Sequence, residues 1–140
     1  MQKNICISVC DKKGYTACCV NYKGRVIFQK TIRSKRDNHF ENIADGLRFA
    51  VRFTKNYVEN NMSFNGDVVV DISNKAVLGW FLRAYANEKY AQCFNPLIEE
   101  IQELPIKVNY AYTPTVIAET FAEEKYLEKE EVKLSRISDI

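Results

Sequence analysis

The chain has 140 residues, of which 46% are hydrophobic and 27% are charged, and its formal net charge is +2. This length suits a single domain that can bury a core without a metal ion or disulfide bonds. No apolar run approaches the ~20 residues that a membrane-spanning helix needs. The first residues lack the apolar core of a signal peptide, so we expect a protein of the cytoplasm, of a cell or of an infected host, with no membrane partner.

The usual zinc ligands, cysteine and histidine, are too few and too poorly spaced to predict a structural zinc site. The chain has a single histidine, His39, and an odd number of cysteines, which argues against a disulfide framework in a cytoplasmic chain. We expect most of the cysteines to be small buried residues of strands. They are Cys6, Cys10, Cys18, Cys19 and Cys93.

Three β-rich runs separated by short turns open the chain. Residues 4–10, 15–22 and 25–33 are predicted strands, with Gly14 at the first turn and Lys23-Gly24 at the second. Three strands joined in this way predict an antiparallel meander. A polar stretch follows, in which Asp37 or Asn38 can cap a helix that runs from about Phe40 to Val58.

The second half of the chain alternates between strands and helices. The valine run of residues 67–72 is typical of a central strand that is buried on both faces. We predict a five-stranded mixed α/β sheet with helices on both faces, in a domain of residues 1–127 followed by a charged helical extension or frayed tail, 128–140. The remaining predicted elements are a helix from Lys75, capped by Ser73 or Asn74, to about Tyr85, a helix over 97–104 with Pro96 in its first turn, a strand over 106–112 and a helix from Thr113 and Pro114 to about Lys133.

Four acidic residues lie where this topology can bring them together. Asp11 and Asp71 lie near the ends of two strands that we expect to be neighbouring and parallel. Glu41 lies in the first turn of its helix, and Glu119 lies one turn into the last helix. Carboxylates that converge repel one another unless a cation binds them, and Mg²⁺ prefers oxygen ligands. Two such ions can activate water and stabilise the leaving oxygen of a phosphodiester.

Each acid also has an ordinary structural explanation. Asp11 is as well explained as a turn residue, Glu41 as a favourable charge at a helix N-terminus, and Glu119 as a solvated helix residue. Asp71 is harder to explain in this way, because an acid beside a buried valine run is costly without solvent or a partner. The prediction of a metal site therefore depends on the four acids as a set.

The order of elements and acids resembles the type I ribonuclease H family. The most specific stretch is Asn38-His39-Phe40-Glu41, which resembles the family's Asn-x-Met-Glu-Leu segment. Asp11 matches the first aspartate of that family, residues 22–25 resemble its second hairpin, and Glu119 takes the place of the last carboxylate. The resemblance implies a ribonuclease H-like fold and an endonuclease that hydrolyses the RNA strand of RNA–DNA hybrids with Mg²⁺ or Mn²⁺, held by Asp11, Glu41, Asp71 and Glu119.

The chain also departs from the family pattern. An ungapped alignment puts Ser73, not Asp71, at the third carboxylate position, so Ser73 is the alternative residue there. The family's histidine loop before the last helix is absent, and Lys12-Lys13 follow Asp11 where many members have glycines. These departures favour an alternative, a catalytically degenerate ribonuclease H-like module that binds nucleic acid or a protein partner.

Five polar residues are candidates for binding nucleic acid. The resemblance implies that Asn38 contacts the backbone or a 2′-hydroxyl in the minor groove. The basic residues nearby are candidates for phosphate contacts, although a solvated face is the commoner reason for such a cluster. They are Lys12, Lys13, Lys35 and Arg36.

Overall fold

The computed structural model describes residues 3–61 and 63–138, which form one mixed sheet with helices on both of its faces. The strand order is β3-β2-β1-β4-β5, in which β1, β2 and β3 are antiparallel and β4 and β5 run parallel to β1. The predicted five-stranded mixed sheet is therefore confirmed. The strands are β1 (Ile5–Lys12), β2 (Tyr15–Tyr22), β3 (Arg25–Arg33), β4 (Val68–Ile72) and β5 (Val108–Tyr112).

The helices follow the meander and the parallel strands in the predicted order. They are α1 (His39–Asn60), α2 (Lys75–Arg83), α3 (Ala91–Gln102) and α4 (Ala118–Ser138), with a 3-10 turn at Glu88–Tyr90 that leads into α3. The helix α4 continues without a break past residue 127. No helix of the described residues is long and apolar enough to cross a membrane.

Two tight turns set the hairpins of the meander. Lys13 and Gly14 both have positive φ, at 53° and 86°, and Lys23 and Gly24 repeat this pattern at 53° and 74°. Two successive positive φ values are typical of type I′ turns, whose twist matches that of the flanking strands. This local chemistry explains why β2 and β3 have the predicted bounds.

The two faces of the sheet carry cores of different size. The larger core lies between the sheet and the helices α1, α2 and α3, and its fully buried members include Ile7, Leu47, Val70 and Phe94. The other face is covered by α4, where a few small residues such as Ala17 and Ala122 pack. Because neighbouring residues of a strand point to opposite faces, β1 and β2 contribute side chains to both cores.

Asparagine side chains cap the first two helices. The Oδ1 of Asn38 accepts hydrogen bonds from the backbone N–H groups of Phe40 and Glu41 at 2.9 and 3.1 Å, and Asn74 caps α2 in the same way. The sequence predicted Asp37 or Asn38 as the cap of α1, and Ser73 or Asn74 as the cap of α2. Asparagine is the cap in both cases.

Two helices begin at residues other than the predicted ones. The helix α3 begins at Ala91 rather than Leu97, because the 3-10 turn capped by Asn87 runs directly into it, and Pro96 lies inside the helix. The helix α4 begins at Ala118, because the N–H of Thr113 still donates to the Ile72 carbonyl at 2.9 Å and continues the sheet ladder.

Candidate active site

The carboxylate of Asp11 lies at the centre of a hydrogen-bond network between β1 and α1. Its Oδ1 accepts from the hydroxyls of Thr16 at 3.1 Å and Ser34 at 2.5 Å. Its Oδ2 accepts from the Nδ2 of Asn42 at 3.2 Å and lies 3.1 Å from the Nδ1 of His39, which donates to it. The Asp11 side chain is only 12% exposed, so these partners replace water.

The network uses the acceptor capacity of Asp11. An ionised carboxylate offers about four lone-pair positions, and four potential donors lie within hydrogen-bond distance of Asp11, of which the Thr16 and Ser34 hydroxyls are also 2.9 Å from each other. A metal ion at this carboxylate would have to displace the buried donors Asn42 and Thr16, which are 3% and 2% exposed, as well as Ser34 and the exposed His39. In this geometry Asp11 joins β1, β2, the segment after β3 and the first turn of α1.

Glu41 lies in the first turn of α1 but does not reach Asp11. Its carboxylate is 3.5 Å from the Nη1 of Arg36, and its side chain is 38% exposed. Successive helical residues point about 100° apart, so Asn42 faces Asp11 while Glu41 points elsewhere. Burial and, secondarily, the Glu41 carboxylate raise the pKa of the Cys93 thiol.

Asp71 lies on the opposite face of the sheet from Asp11. The parallel register of β1 and β4 pairs Asp71 with Ser8, and residues paired in this way point to the same face. Ser8 faces α4, because its hydroxyl accepts from the N–H of Ala118 at 3.2 Å. Burial raises the pKa of the Asp71 carboxyl, which accepts a hydrogen bond from the Thr113 hydroxyl at 3.2 Å.

Glu119 is paired with a lysine on the same face of the sheet as Asp71. The Lys12 ammonium hydrogen-bonds to the Glu119 carboxylate and lies 2.6 Å from that of Glu123. Both carboxylates raise the pKa of Lys12, so the ammonium stays charged. The position beside Glu119 where a cation is favourable is thus filled by the chain itself.

The four predicted carboxylates therefore do not form one site. Asp11 and Glu41 lie on the α1 face, whereas Asp71 and Glu119 lie on the α4 face. Among residues 3–61 and 63–138, no group of three or more histidine, cysteine, aspartate or glutamate side chains is placed to hold a metal ion. Folding therefore does not bring Asp71 and Asp11 to the same face of the sheet, and the binding of Mg²⁺ or Mn²⁺ stays a prediction.

Neither protein-family models nor curated proteins match the sequence. Solved structures do match the fold. Ribonuclease H1 LC11, isolated from compost by a metagenomic approach, has a TM-score of 0.64 at 10% identity, over 81% of this chain and 86% of that one. Its complex with an RNA/DNA hybrid has a TM-score of 0.62 at 8% identity, over 79% and 84%. Ribonuclease H1 of Halobacterium salinarum has a TM-score of 0.63 at 10% identity, over 83% and 89%.

The chain has a ribonuclease H-like fold. The resemblance seen in the sequence predicted this fold, and the likeness to solved structures confirms it. At identities near 10%, the likeness establishes the fold alone, and an argument about chemistry has to come from the residues of this chain. The alternative third residue, Ser73, is exposed in the bend between β4 and the Asn74 cap of α2.

Four of the five predicted nucleic-acid contacts are engaged within the ribonuclease H-like domain, and the fourth, Arg36, is paired with acids. The Oδ1 of Asn38 caps α1 and its Nδ2 donates to the Tyr90 hydroxyl at 3.1 Å. Lys12 is bound to glutamates, and the Lys13 ammonium lies 4.8 Å from the centre of the Tyr126 ring.

Lys35 and Arg36 lie in a basic cleft that the sequence only partly indicated. We call this cleft, of about 190 Å³ between the end of β3 and α1, the α1 groove. Arg36 is paired with Asp45 at 3.1 Å and with Glu41. The charged residues that line the groove are Lys35, Arg36, Asp45, Arg48 and Arg52.

Sequence reasoning missed the partners of Asp11. Asn42 bonds both to Asp11 and to the Arg36 carbonyl, at 2.9 Å for the latter. A signal was present, since Asn42 is a polar residue next to the apolar positions Ile43 and Ala44 of an amphipathic helix. A polar residue beside that stripe predicts a buried hydrogen-bond partner.

Proposed function

We propose that this ribonuclease H-like domain binds nucleic acid, an RNA–DNA hybrid first of all, without hydrolysing it. The observation that carries this proposal is the separation of its carboxylates. Asp11 is surrounded by four potential donors on one face of the sheet, and Asp71 and Glu119 lie on the other. Hydrolysis of a phosphodiester by two metal ions uses acids that converge on those ions, so the separation of these carboxylates supports binding without hydrolysis.

The network around Asp11 has a positioning role in this proposal. The N–H of Arg36 donates to Asn42 and its carbonyl accepts from the same side chain, so the network fixes the segment after β3 against α1. This segment carries Lys35 and Arg36 into the α1 groove. Through these hydrogen-bond partners, Asp11 helps to position the side chains of Lys35 and Arg36.

The α1 groove supports nucleic-acid binding through its charge. Four basic side chains and the carboxylate of Asp45 line it, and Glu41 also pairs with Arg36, which leaves an excess of positive charge. Cations placed along one surface bind phosphates and release counterions, which supplies much of the affinity for nucleic acid. The ribonuclease H1 of the same fold solved with an RNA/DNA hybrid makes such a hybrid the first ligand to test.

The test is binding of a fluorescently labelled RNA–DNA hybrid, measured by anisotropy against DNA and RNA duplexes. We expect hybrid binding that weakens steeply with salt, and a loss of at least about tenfold at 0.1 M salt in the double variant Lys35→Gln/Arg48→Gln. The control variant Lys89→Gln/Lys107→Gln removes the same charge from exposed positions outside the groove. No hybrid binding by the unaltered chain would contradict the proposal.

Metal-dependent hydrolysis of the hybrid's RNA strand is the second candidate. It is favoured by the Asn38–Glu41 segment, which opens α1 beside Asp11, together with the ribonuclease H-like fold. Binding of Mg²⁺ or Mn²⁺ stays a prediction. Cleavage of the hybrid that is lost in both Asp11→Asn and Glu41→Gln, with the fold of each variant retained by circular dichroism, would establish this candidate in place of the first.

A further inference from the structure

A second basic cleft lies on the other side of β3, where α4 passes the turn between β1 and β2. This cleft, the α4 groove, has a volume of about 450 Å³. Five basic residues line it, and Glu130 is the acidic residue among its lining. The basic residues are Lys13, Arg33, Lys125, Lys129 and Lys133.

Three lysines of the α4 groove recur along one face of α4. Lys125, Lys129 and Lys133 follow one another at four-residue intervals and so share one face of α4. Like charges at this spacing destabilise a helix. The glutamates Glu119 and Glu123 of α4 are turned to Lys12 instead. The helix thus carries a row of three lysines in the groove, beside the single glutamate Glu130 of the lining.

The positive charge of the groove is only partly neutralised within the chain. Lys125 lies 3.6 Å from Glu128, and Lys133 lies 3.4 Å from Glu130. Arg33 and Lys129 are exposed and make no ion pair with any of the residues that the structure describes. A cleft lined by one sign of charge attracts a polyanion.

We propose that the α4 groove binds backbone phosphates of the nucleic acid and extends the contact of the α1 groove around the β3 edge. The two grooves lie on opposite sides of β3, which is an edge strand, and Arg33 at its end is followed by Lys35 and Arg36 of the α1 groove. This inference rests on the proposed function, because it assigns a second surface to the same ligand.

The test compares the unaltered chain with Lys125→Gln/Lys129→Gln in hybrid binding over a series of salt concentrations. If both lysines contact phosphates, the plot of log affinity against log salt concentration becomes shallower, its slope losing about 2 in magnitude. Affinity at 0.1 M salt falls by at least about tenfold. The variant Lys89→Gln/Lys107→Gln should keep the slope and affinity of the unaltered chain. Glutamine is a good helix former, and circular dichroism checks that α4 is retained.

The outcomes separate this inference from the proposed function. If the unaltered chain binds the hybrid and Lys125→Gln/Lys129→Gln keeps the same dependence of affinity on salt, the α4 groove does not contact phosphates. The proposal of nucleic-acid binding would then still stand. An equal loss in the control variant also overturns it, since net charge alone would then explain the effect. If the unaltered chain binds no nucleic acid, both proposals fall.

Discussion

The carboxylate of Asp11 connects parts of the chain that are distant in sequence. It accepts from Thr16 of β2, from Ser34 after β3, and from His39 and Asn42 of α1. Hydrogen bonds to a charged acceptor are stronger than those between neutral groups, and their donors would be costly to leave unpaired. The residue therefore has a structural explanation that does not depend on catalysis.

Replacing Asp11 by asparagine should lower the free energy of unfolding by about 1–3 kcal/mol. The new amide nitrogen would face donors, so at least one of the hydroxyl or amide partners would lose its acceptor. Urea denaturation measures the change. The control Glu128→Gln alters an exposed carboxylate paired only with Lys125 and should stay within about 0.5 kcal/mol. An equally small effect in Asp11→Asn would contradict the network described here.

The buried environment of Asp71 predicts a pH-dependent effect on stability. Its pKa is raised in the folded chain, so the folded state binds the proton more tightly and its ionisation opposes folding as the pH rises through the ordinary aspartate range near 4. Asp71→Asn should therefore stabilise the fold at pH 7, by less than about 1 kcal/mol for a half-exposed group, and the gain should vanish at acidic pH. A gain that grows on acidification would refute this explanation.

The sequence predicted the face of Asp11 but not its surroundings. Period-two alternation from Ile5 places Asp11 with the residues that face α1, as the structure has it. Its donors come from three other elements, whose approach depends on tertiary packing. Side chains also alternate between the two faces along β4. The register of β4 against β1 pairs Asp71 with Ser8, so Asp71 faces α4.

At the scale of elements, α1 packs against the sheet through Gly46. A Cβ at this position would lie 2.6 Å from the Cγ2 of Val9 and 3.0 Å from that of Thr16. Gly46→Ala should therefore destabilise the fold by about 1–3 kcal/mol in spite of alanine's better helix propensity. Gly79 of α2 has open space around it, so Gly79→Ala should stabilise by about 0.5–1 kcal/mol. Thermal or urea unfolding of both variants tests the pair, and equal signs would contradict the packing.

Elements defined by local chemistry were predictable, and those defined by their neighbours were not. The glycine turns at Gly14 and Gly24 fixed the meander, because positive φ values at these positions are a local requirement. The start of α3 was missed, since Pro96 looks like a helix start and the turn at Glu88–Tyr90 that precedes the helix has no strong signal of its own. A wrong start for this helix does not change the predicted order of the strands and helices.

At the scale of the whole molecule, the sheet separates two halves of the predicted site. The larger core and the Asp11 network occupy the α1 face, whereas Asp71 and the pair of Lys12 with Glu119 occupy the α4 face. Basic clefts flank the β3 edge on both faces. The fold is ribonuclease H-like, and the proposed binding of a polyanion rests on the positive charge of these two clefts.

A cleavage assay under single-turnover conditions tests the central claim most directly. Protein in excess over an end-labelled RNA–DNA hybrid, with Mg²⁺ or Mn²⁺ present, ensures that slow product release does not hide hydrolysis. We predict that the hybrid is bound, as seen by gel retardation, and that its RNA strand stays intact. Metal-dependent cleavage that is abolished in Asp11→Asn and Glu41→Gln would contradict the account.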